Sequence, residues 1–184
     1  MTDVDGLLAR VAQHAEAGPE RLPPPVTGAE LAAAEAALGV ALPPLLAGLY
    51  REVANGGFGP GYRLFPLTGP GESVVETFRS ERAGIEGEDD PHWPAGVLPI
   101  LTWGCGMFAA VDCLSEEATV LHFEPNGVDG GWEEAWYVDA PSLAQWLETW
   151  LSGTGWYEDD TAGDGEPAEP RPWDAAAARL SASG

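Results

Sequence analysis

The sequence predicts an α+β fold, with helices first and an antiparallel sheet after them, on three observations. Apolar residues recur at helical spacing through residues 3–82. From residue 97 the pattern changes to short β-type runs separated by very short breaks. An amphipathic segment with its own start and stop signals then follows at 142–153. Helices and strands segregated along a chain indicate α+β rather than alternating βαβ units. With 184 residues and 45% hydrophobic content the chain can bury a proper core, and one domain is the natural expectation.

Residues 3–17 fit a short helix with Leu7, Leu8, Val11 and Ala15 on one stripe. The following PERLPPPV is a stiff linker, because each proline fixes its own φ and restrains the residue before it. In TGAELAAAEAALGVALP, Thr27 and Glu30 have capping-box spacing. Leu31, Ala34 and Leu38 share a face there, and Gly39 is a natural stop. Pro43 and Pro44 suit the opening of the next helix, where their missing N–H groups would be unpaired anyway. Its buried face would be Leu45, Leu46, Leu49 and Val53, and Asn55-Gly56 would close it. A phosphate-cradling loop needs glycines between a strand and a helix N-terminus. Those at 56, 57 and 59 follow a helix instead, at its carbonyl-bearing end and without a lysine.

RLFPL (63–67) fits a short strand, and SVVETFRSER (73–82) a helix with Val74, Val75 and Phe78 inward. GIEGEDDPHWPAG is an acidic loop. Four β-type runs follow: VLPILTW, MFAAVDC, ATVLHFEP and WEEAWYV. Their separators are GCG, LSEE and NGVDGG, and breaks this short favour antiparallel neighbours. Alternation in the second run puts Met107, Ala109, Val111 and Cys113 on one face and Asp112 on the other. In SLAQWLETWL, residues Leu143, Trp146, Leu147, Trp150 and Leu151 form one apolar stripe that should dock on the sheet. Ser142 with Gln145 matches a capping box and Gly153 stops the helix. Beyond Gly153 the composition is Gly, Asp, Glu, Pro and Ala, which predicts a flexible acidic tail. Trp156, Tyr157 and Trp173 could dock locally, and WDAAAARL could form a turn or two of helix.

Eight Lys+Arg against 30 Asp+Glu give a net charge of −22, and every cation is arginine. Nucleic-acid affinity comes largely from cations displacing condensed counterions, so direct binding to nucleic acid or to an anionic membrane is disfavoured. A basic protein partner is favoured instead, with electrostatics raising the association rate. GC-rich coding, or acidity kept for solubility, is the alternative origin of the same charge. Two cysteines do not make a disulfide framework in a chain of this size. MTDVDGLLARVAQHAEAG has acids before Arg10 and no long apolar run, which does not read as a secretory leader. No run approaches the ~20 apolar residues of a membrane span. The expected location is cytoplasmic.

The side chains that could carry chemistry are Cys105, Asp112, Cys113 and His122. A cysteine–histidine nucleophile pair would need the sheet to bring Cys105 to His122. Zinc would need a ligand spacing that these residues do not match. Cys113 alternates with Met107, Ala109 and Val111 as a core residue would. Glu88-Asp89-Asp90 and Glu116-Glu117 read as solvated loop acids rather than an acid/base pair. No Gly-x-Ser-x-Gly elbow or metal motif is present, so neither an enzyme nor a bound cofactor or metal is expected. Trp146 and Trp150 fall on a helical core stripe. Trp93, Trp103 and Trp132 stand at loop–strand boundaries, as interface anchors do and as core residues at bends do.

The ordered set LGVALPPLLAGLYREVANGG, WPAGVLPILTWGCGMFAAVDC and SLAQWLETWLSG resembles the SUKH superfamily. That group includes Smi/Knr-type cell-wall-assembly-regulator-like proteins and many bacterial immunity proteins. The matching residues are Leu42-Pro43 opening a helix and Asn55-Gly56-Gly57 closing it, then Leu98-Pro99-Ile100 before the Gly104–Gly106 turn, Asp112, and the helix from Ser142. The resemblance divides the chain into an N-terminal helix and linker (1–26), a SUKH-like domain (27–153) and an acidic low-complexity tail (154–184). It implies N-terminal helices packed on a mainly antiparallel sheet with a closing helix, and no enzymatic activity. Bacterial members of this kind neutralise toxins, many of them nucleases or deaminases. The expectation is thus a protein-binding immunity protein that covers the active-site groove of a basic toxin. The alternative is a regulatory or scaffolding protein with an endogenous protein partner. The family supplies no universal binding residue. The expected contacts therefore rest on acids and boundary aromatics: Glu88, Asp89, Asp90, Trp93, Trp103, Asp112, Trp132, Glu133 and Glu134.

Overall fold

The computed structural model describes residues 3–19, 21–84, 91–155 and 171–182, and within them side-chain caps set most helix starts. Helix α1 (Val4–Glu16) begins where Asp3 accepts the Gly6 N–H, and it buries Leu7, Leu8, Val11 and Ala15. Helix α2 (Gly28–Leu38) carries the complete Thr27–Glu30 capping box and ends at Gly39 in the left-handed region. Pro44 opens α3 (Pro44–Gly48), which continues as a π turn over Leu49–Val53. In that wider turn the Ala54 N–H donates to the Leu49 carbonyl, five residues back. The extra residue rotates the buried face, so Tyr50 is fully buried and Val53 is only half-buried. The Tyr50 hydroxyl donates to the Phe65 carbonyl at 3.0 Å.

RLFPL is not a strand. The Phe65 N–H reaches the Ile100 carbonyl at 2.8 Å, but Pro66 has no N–H with which to continue a ladder. The segment is held from behind by Asn55, which accepts from Leu67 N–H at 2.7 Å and donates to the Thr68 carbonyl at 3.0 Å. Gly56 lies at φ 76, and a Cβ there would stand 2.5 Å from the Phe65 carbonyl oxygen. Ser73 then caps α4 (Val74–Arg82), which buries Val74, Val75 and Phe78.

Strands β1 (Val97–Gly104), β2 (Met107–Asp112), β3 (Val120–Phe123) and β4 (Trp136–Ala140) are antiparallel neighbours in that order. WEEAWYV differs from the sequence expectation: Trp132–Ala135 is a 3₁₀ turn and only the second half joins the sheet. Helix α5 (Leu143–Ser152), capped by Ser142 and stopped by left-handed Gly153, buries Leu143, Trp146, Leu147 and Trp150. At ~1.5–3 kcal/mol per large apolar side chain, that face contributes on the order of 10 kcal/mol gross. α1 packs on α5, and α5 on β4. The fold is α+β, six helices and a five-stranded antiparallel sheet among the described residues.

The fifth strand is a further departure. The 154–184 stretch was expected to be a flexible tail, yet β5 (Arg171–Pro172) pairs with Tyr137 and Val138 of β4. Helix α6 (Ala176–Ser181) follows, burying Ala176 and Leu180 and packing on the 3₁₀ turn. Trp156 and Tyr157 lie outside the described residues.

Candidate partner-binding surface

Phe108, Phe123 and Trp136 stand opposite one another on β2, β3 and β4 and so share a face of the sheet. Trp93 fills the space over them, its ring centroid 5.6, 5.2 and 4.9 Å from theirs. Its indole N–H donates to the Val97 carbonyl at 2.7 Å, and its own carbonyl accepts from Arg82 at 2.8 Å. His92 beside it is buried, its Nε2 2.8 Å from Glu81, and its carbonyl accepts the Trp136 indole N–H. The expectation that Trp93 meets a partner is therefore corrected. At 1% exposure it is a core residue that ties α4 to the sheet, and its side chain offers no surface.

Asp112 is corrected in the same way. It is 3% exposed, and the Arg179 guanidinium from α6 grips both carboxylate oxygens at 2.9 and 3.0 Å. Arg179 also donates to the Ala95 carbonyl, and the Leu114 N–H donates to Asp112. A buried carboxylate held bidentately by arginine is a structural clamp, with its hydrogen-bonding capacity met inside the fold. Nothing in the sequence around Asp112 points to a partner 67 residues away.

The remaining aromatic and acidic positions divide. Trp103 is half-buried at the end of β1, and a Cβ on Gly61 would meet its ring at 2.9 Å. Trp132 is half-buried, its ring 5.5 Å from His92 and 6.4 Å from Phe123. The next two residues of the 3₁₀ turn, Glu133 and Glu134, are exposed. They border a groove of about 430 Å³ whose other walls are Tyr137 and the segment 172–177, including Trp173 and Asp174. The sequence marks Trp132, Glu133 and Glu134 as partner-facing and offers Trp173 only as able to dock locally, because the pairing of residues 171–172 with β4 is long-range. Glu88, Asp89 and Asp90 lie outside the described residues.

The cysteines are placed apart. Cys105 is exposed in the turn between β1 and β2, whereas His122 stands opposite Ala109 within the sheet. Burial pushes the Cys113 thiol up to about 12, which keeps it protonated at neutral pH. Burial pushes His122 the other way, below the ordinary imidazole value, and so towards its neutral form. Among the described residues no group of three His, Cys, Asp or Glu side chains is placed to hold a metal ion. Among them, too, no helix is long and apolar enough to cross a membrane.

Helices gathered with an antiparallel sheet, and acids and aromatics collected on an outer groove, define a protein of the α+β class whose conspicuous surface feature suits binding. The chain belongs to the SMI1 / KNR4 family (SUKH-1), whose model matches residues 25–149. Proteins of this family are in general non-catalytic immunity or regulatory proteins. Curated proteins offer no match to the chain. The family span leaves out α1 at one end and β5 with α6 at the other, so Arg179, which clamps Asp112, and the far wall of the groove lie outside it.

Proposed function

We propose that this is an immunity-type binding protein that neutralises a basic protein toxin, a nuclease or deaminase, by covering its cationic substrate groove. The carrying observation is family membership combined with a net charge of −22. An enzyme that acts on nucleic acid presents cations where its substrate lies, and an anionic protein competes for that surface. The protein acts in the cytoplasm and makes or breaks no covalent bond. It needs no cofactor or metal and binds neither nucleic acid nor membrane directly. Supporting this reading, burial raises the Cys113 thiol, and Cys105 stands exposed in the β1–β2 turn while His122 lies within the sheet. Contact falls to the acids at 88–90, to the exposed edges of Trp103 and Trp132, and to Glu133 and Glu134.

The test is capture of the product of the neighbouring gene, followed by association kinetics across a range of salt. Reversing Glu88, Asp89 and Asp90 to arginine should slow association and flatten its salt dependence. No change in either removes that loop from the interface. The second reading, a regulatory or scaffolding protein, draws on the same family membership. Co-purification of an endogenous protein from the native cell, with no toxin gene adjacent, would favour it.

A further inference from the structure

We infer that the groove between the 3₁₀ turn (132–135) and the segment 171–177 is the docking site for an arginine-bearing basic segment of the protein partner. The inference rests on the binding-protein reading above and names the surface and the side chain it selects.

The groove holds about 430 Å³ and its lining includes Tyr137, Trp173 and Ala176 together with Glu133, Glu134 and Asp174, the three acids being exposed. No cation lines it, and no salt bridge engages those three carboxylates among the described residues. The aromatic wall is already set. The Trp173 N–H donates to the Trp136 carbonyl at 2.9 Å, and its ring meets Trp136 edge-on at 6.0 Å. Arg179 covers the ring at 5.5 Å while its guanidinium stays locked on Asp112. Binding here would not have to order Trp173, which removes a usual cost of association.

Charge chooses the occupant. A second copy of a chain of net charge −22 brings the wrong sign. So does the chain's own 156–170 segment, WYEDDTAGDGEPAEP, which has acids and no cation. A nucleic acid is repelled as well. A guanidinium satisfies both halves of the groove: its flat face stacks on an aromatic ring, and its edge pairs with carboxylates in a way an ammonium cannot match. Pro172, Trp173, Asp174 and Ala176 lie beyond residue 149, outside the span that the family model matches.

The experiment titrates the full chain with an acetylated, amidated tetra-arginine peptide, with tetra-lysine as comparison, by calorimetry and amide chemical-shift mapping. Shifts should cluster at Tyr137, Trp173, Ala176 and Ala177. The triple variant Glu133→Gln, Glu134→Gln, Asp174→Asn should weaken the tetra-arginine peptide about tenfold, three exposed charge pairs being lost. The charge-matched control Glu16→Gln, Glu116→Gln, Glu117→Gln should change it less than about twofold. Trp173→Phe, which keeps an aromatic wall, should keep most of the affinity. Equal weakening by triple variant and control, or shifts spread over the whole surface, would mean diffuse charge attraction and would overturn the site. Tetra-lysine binding as tightly as tetra-arginine would overturn the arginine selection. With a captured partner the two readings separate. A triple variant that neutralises as well as the parent sinks the groove alone. Failure of the parent to hold any basic partner, with peptide mapping intact, sinks the immunity reading alone.

Discussion

One carboxamide and one glycine carry the crossing between the helical half of the chain and β1 (Val97–Gly104). Asn55 satisfies two backbone groups at once, the Leu67 N–H and the Thr68 carbonyl. Removing it leaves both without their partner, at a cost of about 1–3 kcal/mol per group that stays buried. Asn55→Ala is therefore expected to lower the urea midpoint by a stability loss of about 2 kcal/mol. Asn55→Asp, which keeps the acceptor and loses the donor, should fall between. Asn55→Ala with parental stability would show that the turn holds itself. Residues 55–57 were legible in the sequence as a turn, because Asn and Gly signal left-handed backbone. Their grip on residues 65–68 was not, because it is made to a segment with no regular structure of its own.

The two thiols make a second residue-scale prediction. Burial raises the Cys113 thiol to about 12 and raises the Tyr50 phenol as well, while Cys105 is exposed. At neutral pH iodoacetamide should label one thiol in the native protein, lost in Cys105→Ala, and both thiols in urea. Two labels on the native chain would contradict the raised value of the half-buried Cys113 thiol. The same shifts set a sign for alkaline stability. A folded value above the unfolded one means that the unfolded chain loses its proton first. The stabilisation is complete below the ordinary thiol value, and it drains away as pH rises from about 8.5 through the folded value of about 12. Cys113→Ala should flatten that decline in part, with Tyr50 supplying the remainder.

At the scale of elements, the long periodic ones were legible and the ones made by distant pairing were not. α2 (Gly28–Leu38) and α5 (Leu143–Ser152) start at the caps their sequences announce, Thr27 and Ser142, and α4 (Val74–Arg82) fills the segment read as a helix, with Ser73 as its cap. The order of the four long strands followed from the shortness of their connections. The π turn escaped because one inserted residue changes the buried face without changing the composition. β5 (Arg171–Pro172) escaped because Gly- and Asp-rich sequence precedes it, and α6 (Ala176–Ser181) was legible only as a possible turn or two of helix, because the reason both dock lies in β4 and Asp112. The clamp predicts an asymmetry. Arg179→Met leaves the Asp112 carboxylate buried without its charge partner and should cost about 3 kcal/mol. Asp112→Asn together with Arg179→Met should cost clearly less than the sum of the two single changes, by thermal or urea melts. Additive costs would mean that α6 is held by Leu180 and Ala176 alone. Buried Trp136 and half-buried Trp173 should then keep their parental fluorescence in the Arg179→Met single variant.

For the whole molecule, the same charge acts on two equilibria with opposite signs. At a net charge of −22 the exposed carboxylates repel one another, and compaction raises that repulsion, so the folded state is opposed by its own field. Exposed pairs such as Arg10–Glu148 and Arg79–Glu76 offset little of it. Encounter with a cationic partner is helped by the same field. Adding salt shortens the screening length from about 30 Å at 0.01 M to about 3 Å at 1 M, which weakens both effects together. Melting temperature should therefore rise with sodium chloride while the rate of association with a basic partner falls. The measurement belongs near neutral pH. Below the ordinary imidazole value His122, held neutral in the fold by burial, begins to favour the unfolded chain as that chain takes up a proton. Nearer the carboxylate range Glu30 and Glu148, whose folded values are lowered by Thr27 and Arg10, start to lose their contribution as pH falls. Acid would thus mix relief of repulsion with those losses, whereas salt isolates the field. A melting temperature independent of salt would mean that the carboxylates are spaced widely enough not to feel one another. In that case the acidity could not steer a partner from a distance either, and binding would have to come from short-range contacts in the Trp173 groove.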